Sequence, residues 1–314
     1  MFLHENKEVF QELLTQTAEE YAPYTEDIIE KDYYVYLLLK KIHELCPEVV
    51  FKGGTSLSKC YNVIHRFSED IDLTFIKEIK KEKRSKKIKH GIIKETAKYY
   101  NFTIPNFDSK EAQGDCNVPR FHFKTPAIAD YTFSDMDPNV TIECSFLSPC
   151  ANPKAMVIDC FIQRFIEKRS LEAELRKLNI EALNLFEMNV QPMEITFIDK
   201  VYALCDYFLD PKHPVEKHSR HLYDIYMMSS LISFDENFKS LVQEIRKHRS
   251  TLEKCFSTLP DETRTIKELV EEYIASDYYK GDYSERTLKL IEEKNITYDM
   301  VINRMKNIVA TNIF

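Results

Sequence analysis

The chain has 314 residues, 44% of them apolar and 30% charged, which is enough for two packed domains or one large domain with an appendage. A net charge of −8 excludes broad, nonspecific coating of nucleic acid, and no run approaches the roughly 18 apolar residues of a membrane span. The opening MFLHENKEVFQELL lacks the basic start and apolar core of a secretory signal, so a cytoplasmic, membrane-free protein is expected.

Only five glycines, against many Leu, Ile, Glu and Lys, favour a helix-rich fold. Residues 5–20 read as an amphipathic helix with Val9, Leu13, Leu14 and Ala18 on one side, and residues 25–45 as a longer, more apolar one. EVVFKGG then switches to a short β-rich run ending at Gly53 and Gly54. TSLSKCYNV opens a helix in which Thr55 or Ser56 can cap the free amides. DIDLTF alternates acidic and apolar residues as a strand does, and residues 80–100 read as a basic helix after it. From Lys77 to Lys98, ten basic residues face three acidic ones; that local +7 leaves −15 for the rest of the chain. FTIPNF, RFHFKT, IADYTF and VTIECSF read as further strands, with SDMDPN as a turn cluster.

From about residue 160 the pattern is helical, through QPMEITFIDKVYALCDYFL and RHLYDIYMMSSLI to segments near 236–249, 263–275, 284–293 and 297–309. The eight cysteines (Cys46, Cys60, Cys116, Cys144, Cys150, Cys160, Cys205 and Cys255) form no C-x-x-C pair, so they read as buried apolar side chains rather than zinc ligands or a disulfide frame.

Chemistry concentrates in FKGGTSLSKCYNVIHRFSEDIDLTF. Asp70 and Asp72, two apart on a strand, project to one face while Ile71 and Leu73 face the core. Two carboxylates side by side repel unless a cation lies between them, and oxygen ligands suit Mg²⁺. A pair of such ions at about 3.5–4 Å clamps both oxygens of an in-line phosphoryl displacement. Gly53 and Gly54 lead a strand into a helix whose first amides can take an anion, with the Ser56 hydroxyl and the Lys59 charge close by. Taken singly, Gly-Gly is a turn and Asp-x-Asp a solvated strand face; their order gives them weight. Neither G-x-x-x-x-G-K-[ST] nor G-x-G-x-x-G is present.

FKGGTSLSK followed by RFSEDIDLTF resembles the AbiEii/AbiGii toxin family, a branch of the DNA polymerase β-like nucleotidyltransferase superfamily. The resemblance implies an α+β fold: a polymerase β-like core, a small mixed sheet flanked by helices, over residues 1–155, and a mostly helical C-terminal domain over 156–314 that completes the active site. It implies Asp70 and Asp72 as metal-binding catalytic residues, and Gly53, Gly54, Thr55, Ser56 and Lys59 as the nucleotide seat. A third carboxylate is sought on a later strand, where VTIECSF offers Glu143; a surface glutamate is the competing reading. A family motif of a helical lysine and a later aspartate directs attention to Lys200 and Asp224. Lys200 then reaches phosphate or snorkels to solvent, and Asp224 pairs with Lys200 or Arg220 or acts on the attacking hydroxyl. Arg66 holds its loop or touches phosphate, Ser68 orients the Asp70 carboxylate, and Glu69 points away from the pair.

The expected reaction is two-metal (Mg²⁺, with Mn²⁺ as the alternative) transfer of a nucleotide from an NTP to an acceptor. The resemblance implies the tRNA 3′ end as acceptor, a toxin–antitoxin or phage-defence setting, and a separately encoded antitoxin. The basic segment is then an RNA contact or simply a solvated helix. Two other classes stay open: a catalytically inactive nucleotide-binding interaction protein, and a metal-dependent phosphodiesterase or nuclease using water on the same carboxylates.

Overall fold

A computed structural model describes every residue except 67, 69, 114–117, 133–136, 211, 213 and 214. The readings of Glu69 and Cys116, and of parts of the IADYTF and SDMDPN segments, therefore lie outside the described residues.

Helix α1 (Lys7–Glu20) and helix α2 (Glu26–Leu45) come first. Strand β1 (Val49–Lys52) leads directly into α3 (Gly53–Lys59), and β2 (Ile71–Phe75) follows. The basic stretch is helical as expected: α4 (Lys81–Arg84) and α5 (Lys94–Tyr100) are joined by a π-helical segment, Ser85–Ile93. Strands β3 (Arg120–Phe123), β4 (Val140–Cys144) and β5 (Lys154–Ile158) come next, then α6 (Phe161–Arg169), α7 (Glu172–Lys177) and β6 (Phe186–Val190). The remainder is helical: α8 (Met193–Leu209), α9 (Arg220–Met228), α10 (Glu236–Arg249), α11 (Ile266–Ala275), the short α12 (Lys280–Asp282) and α13 (Leu288–Leu290), and α14 (Tyr298–Ala310).

The strands form one mixed sheet in the order β3-β4-β2-β1-β6-β5, with β2 parallel to β4, β1 parallel to β6, and the other neighbours antiparallel. Helices flank this sheet, as the α+β expectation has it. Two expected strands are absent: FTIPNF contributes only a bridge from Thr103 to Lys124, and the described part of IADYTF is irregular. Pro105 removes a ladder donor in the first. In the second, Glu30 of α2 takes up the Ile128 and Ala129 amides at 2.8 and 3.1 Å, so a helix side chain serves them instead of a strand. Strands β5 and β6 were missed, because KAMVI and FEMNV are short and sit between helical segments. They carry the sheet across residue 155.

Alternation along the strands divides the sheet into two faces. Val49, Phe51, Ile71, Leu73, Phe121, Phe123, Ile142, Cys144, Met188 and Val190 lie on one, packed in the apolar cluster that holds α1, α2, α5 and α6. Val50 belongs instead to a second cluster with Leu57, Ile64 and the helices from α8 onward. The same alternation puts Lys52, Asp72, Glu143 and Arg120 on Val50's side. Six of the seven described cysteines are buried free thiols, and Cys60 is half-buried.

Candidate active site

Four strands contribute one cross-strand row. Arg120 on β3 is opposite Glu143 on β4, Glu143 is opposite Asp72 on β2, and Asp72 is opposite Lys52 at the end of β1. Arg120 Nε reaches Glu143 Oε1 at 2.7 Å. Lys52 Nζ turns to Asp199 of α8 at 2.9 Å, and Asp199 also accepts from Ser148 Oγ and from Gln191 Nε2. Asp70 stands just before β2, within electrostatic reach of both Asp72 and Glu143.

The row is under charge stress. Burial, together with the Glu143 and Asp70 carboxylates beside it, pushes Asp72 up to about 7 in spite of Lys52 and Lys200. Burial also raises Glu143, against the pull of Arg120. Sequence reasoning paired Asp70 with Asp72 and reached Glu143 only through the resemblance; the sheet register joins Glu143 to Asp72 as direct neighbours.

The Gly-Gly turn fits closely over this row. Gly53 has φ +75°, and a Cβ there would lie 1.9 Å from Asp72 Oδ2. A Cβ on Gly54 would lie 2.8 Å from both Arg66 Nη2 and Ser68 Oγ. Thr55 Oγ1 bonds Ser68 Oγ at 3.0 Å and donates to the Asp70 carbonyl, so α3 fixes the approach to β2.

One local expectation is corrected. Helix α3 starts at Gly53 with Lys52 as its N-cap, and no side chain caps it. Thr55 and Ser56 lie inside the helix: the buried Ser56 hydroxyl donates to Gly53 O at 2.9 Å, and Thr55 turns toward Asp70. The left-handed Gly53 lets the helix begin two residues earlier. Lys59 forms an ion pair with Asp32 of α2, and Asp32 also accepts the Phe161 amide at 2.8 Å.

Lys200 and Asp224, far apart in sequence, meet at 2.7 Å. Arg66 reaches the same carboxylate with Nε and Nη2, both at 2.7 Å. Arg66, read only as a loop anchor or phosphate contact, is thus the second cation on Asp224; Arg220 is not among its close partners. Burial alone would raise Asp224, but Arg66 and Lys200 hold it far below the usual carboxylate range. Burial lowers Lys200 despite Asp224, and its Nζ sits 3.4 Å from His221 Nδ1. Arg220 lies within electrostatic reach of Glu143 and Lys200, and its buried Nε has no hydrogen-bond partner among the described residues.

A family model described as "Nucleotidyl transferase AbiEii toxin, Type IV TA system" matches residues 37–301. The chain belongs to the AbiEii family. Family membership makes it a nucleotidyltransferase toxin of the type IV toxin–antitoxin class, a class that implies an NTP substrate and an antitoxin partner. Among solved structures it is similar to "Crystal structure of JHP933 from Helicobacter pylori", at 14% identity and TM-score 0.32, over 80% of this chain and 92% of that one. A search of curated proteins finds no match.

In this AbiEii chain the donors suit a hard divalent cation, since Asp70, Asp72 and Glu143 offer oxygen and repel one another. Even so, no group of three or more His, Cys, Asp or Glu among the described residues is arranged to hold a metal ion. Glu143 is held by Arg120, and Asp72 lies against Gly53. Sequence reasoning missed Lys52, Arg120 and Asp199, and weighed Arg220 only as a partner of Asp224. Of these only Lys52 left a trace, as the polar end of an apolar strand next to the glycines.

The basic segment leaves the sheet at its far end. Lys77 and Lys87 both pair with Glu48, at 3.6 and 3.2 Å, just before β1 begins, whereas Lys52 and Gly53 lie where β1 ends. Four strand residues span about 13 Å. No helix among the described residues is long and apolar enough to cross a membrane.

Proposed function

We propose that this AbiEii protein transfers a nucleotide from an NTP to the 3′ end of a tRNA, with Asp70, Asp72 and Glu143 as ligands of Mg²⁺. The observation that carries this reading is the Asp72–Glu143 pair on adjacent parallel strands, opposite a glycine turn with no room for a side chain. Divalent ions bound there would neutralise the carboxylates and the triphosphate at once.

The chain's own groups divide the work. Amides at Gly53, Gly54 and Thr55 receive phosphate oxygens, while Ser56 holds the turn from inside through Gly53 O. Lys59 supports that helix from its other end through Asp32. Lys52, Arg120, Arg220 and Lys200 ring the carboxylates with positive charge for the phosphates. The acceptor hydroxyl gives up its proton to solvent and attacks the α-phosphorus, the bond to the bridging oxygen of the β-phosphate breaks, and pyrophosphate leaves. Asp224 is too weak a base to take the hydroxyl proton while two cations hold it ionised, so it positions Lys200 and Arg66. Residues up to about 155 with β5 and β6 form the catalytic body, and the later helices supply Asp199, Lys200, Arg220 and Asp224. An antitoxin in a phage-defence setting completes the biology.

The test is incubation with each radiolabelled NTP, Mg²⁺ and total tRNA, for wild type and Asp72→Asn. Label on RNA from the wild type alone supports the reading. Cleaved RNA would favour a phosphodiesterase, and NTP binding without pyrophosphate release an inactive binding module.

A further inference from the structure

A cleft of about 470 Å³ lies beside the carboxylate row. Asp70, Asp72 and Glu143 do not line it, but Thr55, Arg66 and Ser68 do. These three link it to the site. Thr55 bonds Ser68 and the Asp70 carbonyl, and Arg66 and Ser68 close over Gly54. Thr55, Arg66 and Ser68 thus stand between the cleft and the glycine turn, in contact with both.

Its outer walls differ in kind. The rings of Tyr24 and Phe161 pack at 4.9 Å between centroids, with the Arg164 guanidinium 5.5 Å from the Phe161 ring centre. Ile28, Val35 and Ile64 supply aliphatic surface. The cations in the lining are already matched. Lys59 pairs with Asp32, Arg66 with Asp224, and Arg164 with Asp159 through two contacts at 2.6 Å. Glu292 accepts from the Tyr24 hydroxyl at 3.2 Å. A cleft whose cations are neutralised is a poor seat for a triphosphate and a good one for a flat, neutral, hydrogen-bonding group. Asn62 stands at its rim, exposed, in a left-handed conformation of φ 50°, with no hydrogen bond to its side-chain amide among the described residues. That amide offers both donor and acceptor to a base edge.

We propose that this cleft binds a nucleoside. The base lies against Tyr24, Phe161 and the Arg164 plane, Asn62 reads its edge, and the sugar points inward past Ser68 to the phosphate site. The volume falls within the range of small-ligand pockets, and a base on aromatic and guanidinium surfaces is a general way of holding single-stranded nucleic acid. The proposal rests on the nucleotidyltransferase reading above. Its ligand is the nucleoside of the donor NTP or the terminal nucleotide of an RNA acceptor, which share this chemistry.

The test uses the full chain in EDTA, with the four radiolabelled nucleoside 5′-monophosphates in equilibrium dialysis. At least one should bind the wild type, and Phe161→Ala and Asn62→Asp should each weaken it by about tenfold. Asn62→Asp tolerates the left-handed backbone, so it remains informative if Phe161→Ala fails to fold. Failure of all four to bind the wild type, or equal binding by Asn62→Asp, overturns the proposal. In label transfer, a raised KM for NTP in Asn62→Asp assigns the cleft to the donor, and a raised KM for RNA alone assigns it to the acceptor; an unchanged KM for both overturns it. Loss of monophosphate binding in a protein that transfers no label keeps the cleft and rejects the transferase reading.

Discussion

The Asp72 carboxylate fills the space that a side chain on Gly53 would need: a Cβ there would lie 1.9 Å from Asp72 Oδ2. Gly53 also has φ +75°, so a substitution meets both backbone strain and a clash. Gly53→Ala should cost about 1–3 kcal/mol from strain alone and push Asp72 out of its row, abolishing transfer. Gly281→Ala is the control, since nothing lies within 4 Å of a Cβ there and the residue is helical. It should be neutral or stabilise by up to about 1 kcal/mol. Thermal melts and a label-transfer assay on both variants check this; a Gly53→Ala protein as stable and active as wild type would refute the close fit.

Removing Asp224 would take away the buried carboxylate that Arg66 and Lys200 share. Asp224→Ala should therefore destabilise by about 3–5 kcal/mol, read by urea unfolding. Lys200→Met alone keeps the Arg66–Asp224 pair and should cost less. Combined with Asp224→Ala it should recover part of the loss, because one uncompensated charge is gone. Simple additivity of the two single changes would mean the ion pair at 2.7 Å carries no coupling.

Much of this was legible in the sequence, because local signals matched their three-dimensional use. The alternation in DIDLTF puts Ile71 and Leu73 in the core and Asp72 on the opposite face, and the spacing in α10, α11 and α14 marks their buried stripes. The missing parts depend on pairings between distant segments. Nothing near Arg120 says that β3 will lie beside β4, and nothing near Arg66 says that it will meet Asp224, 158 residues away. KAMVI and FEMNV carry no turn-bounded strand signature, yet β6 pairs with β1 in the middle of the sheet. Fold class follows from periodicity, whereas the polar partners of a site follow from register and topology.

The raised Asp72 gives a pH dependence of definite sign. Burial, Glu143 and Asp70 lift it from the usual 3.8 to about 7, so the folded protein holds this proton more tightly than the unfolded chain. The stability it contributes is full below about pH 4 and is lost as pH rises through 7. Metal-free wild type should lose stability over that window relative to Asp72→Asn, as read by Tm against pH. A divalent cation competes with the same proton, so its affinity should weaken by up to about tenfold per unit as pH falls below 7, measured by titration calorimetry. Parallel Tm profiles for wild type and Asp72→Asn would show that Asp72 does not titrate in this range.

The basic helical stretch and the carboxylate row lie at opposite ends of β1, which separates two kinds of substrate effect. Lys80, Lys83 and Lys86 are exposed, and none is held in an ion pair among the described residues. If they contact RNA phosphates, the triple change to Glu should raise KM for tRNA, leave KM for NTP unchanged, and reduce the salt dependence of RNA binding by roughly one unit of slope per lost contact. Fold stability should hold, because exposed charges contribute little. The complementary variant, Arg120→Ala, removes the partner of Glu143 at 2.7 Å and should change NTP turnover without changing the salt slope for RNA. Filter binding of labelled tRNA across a salt series, alongside steady-state transfer kinetics, separates the two. An unchanged salt slope in the triple variant would reduce the stretch from Lys77 to Lys98 to a solvated helix and move the RNA-binding surface elsewhere on the protein.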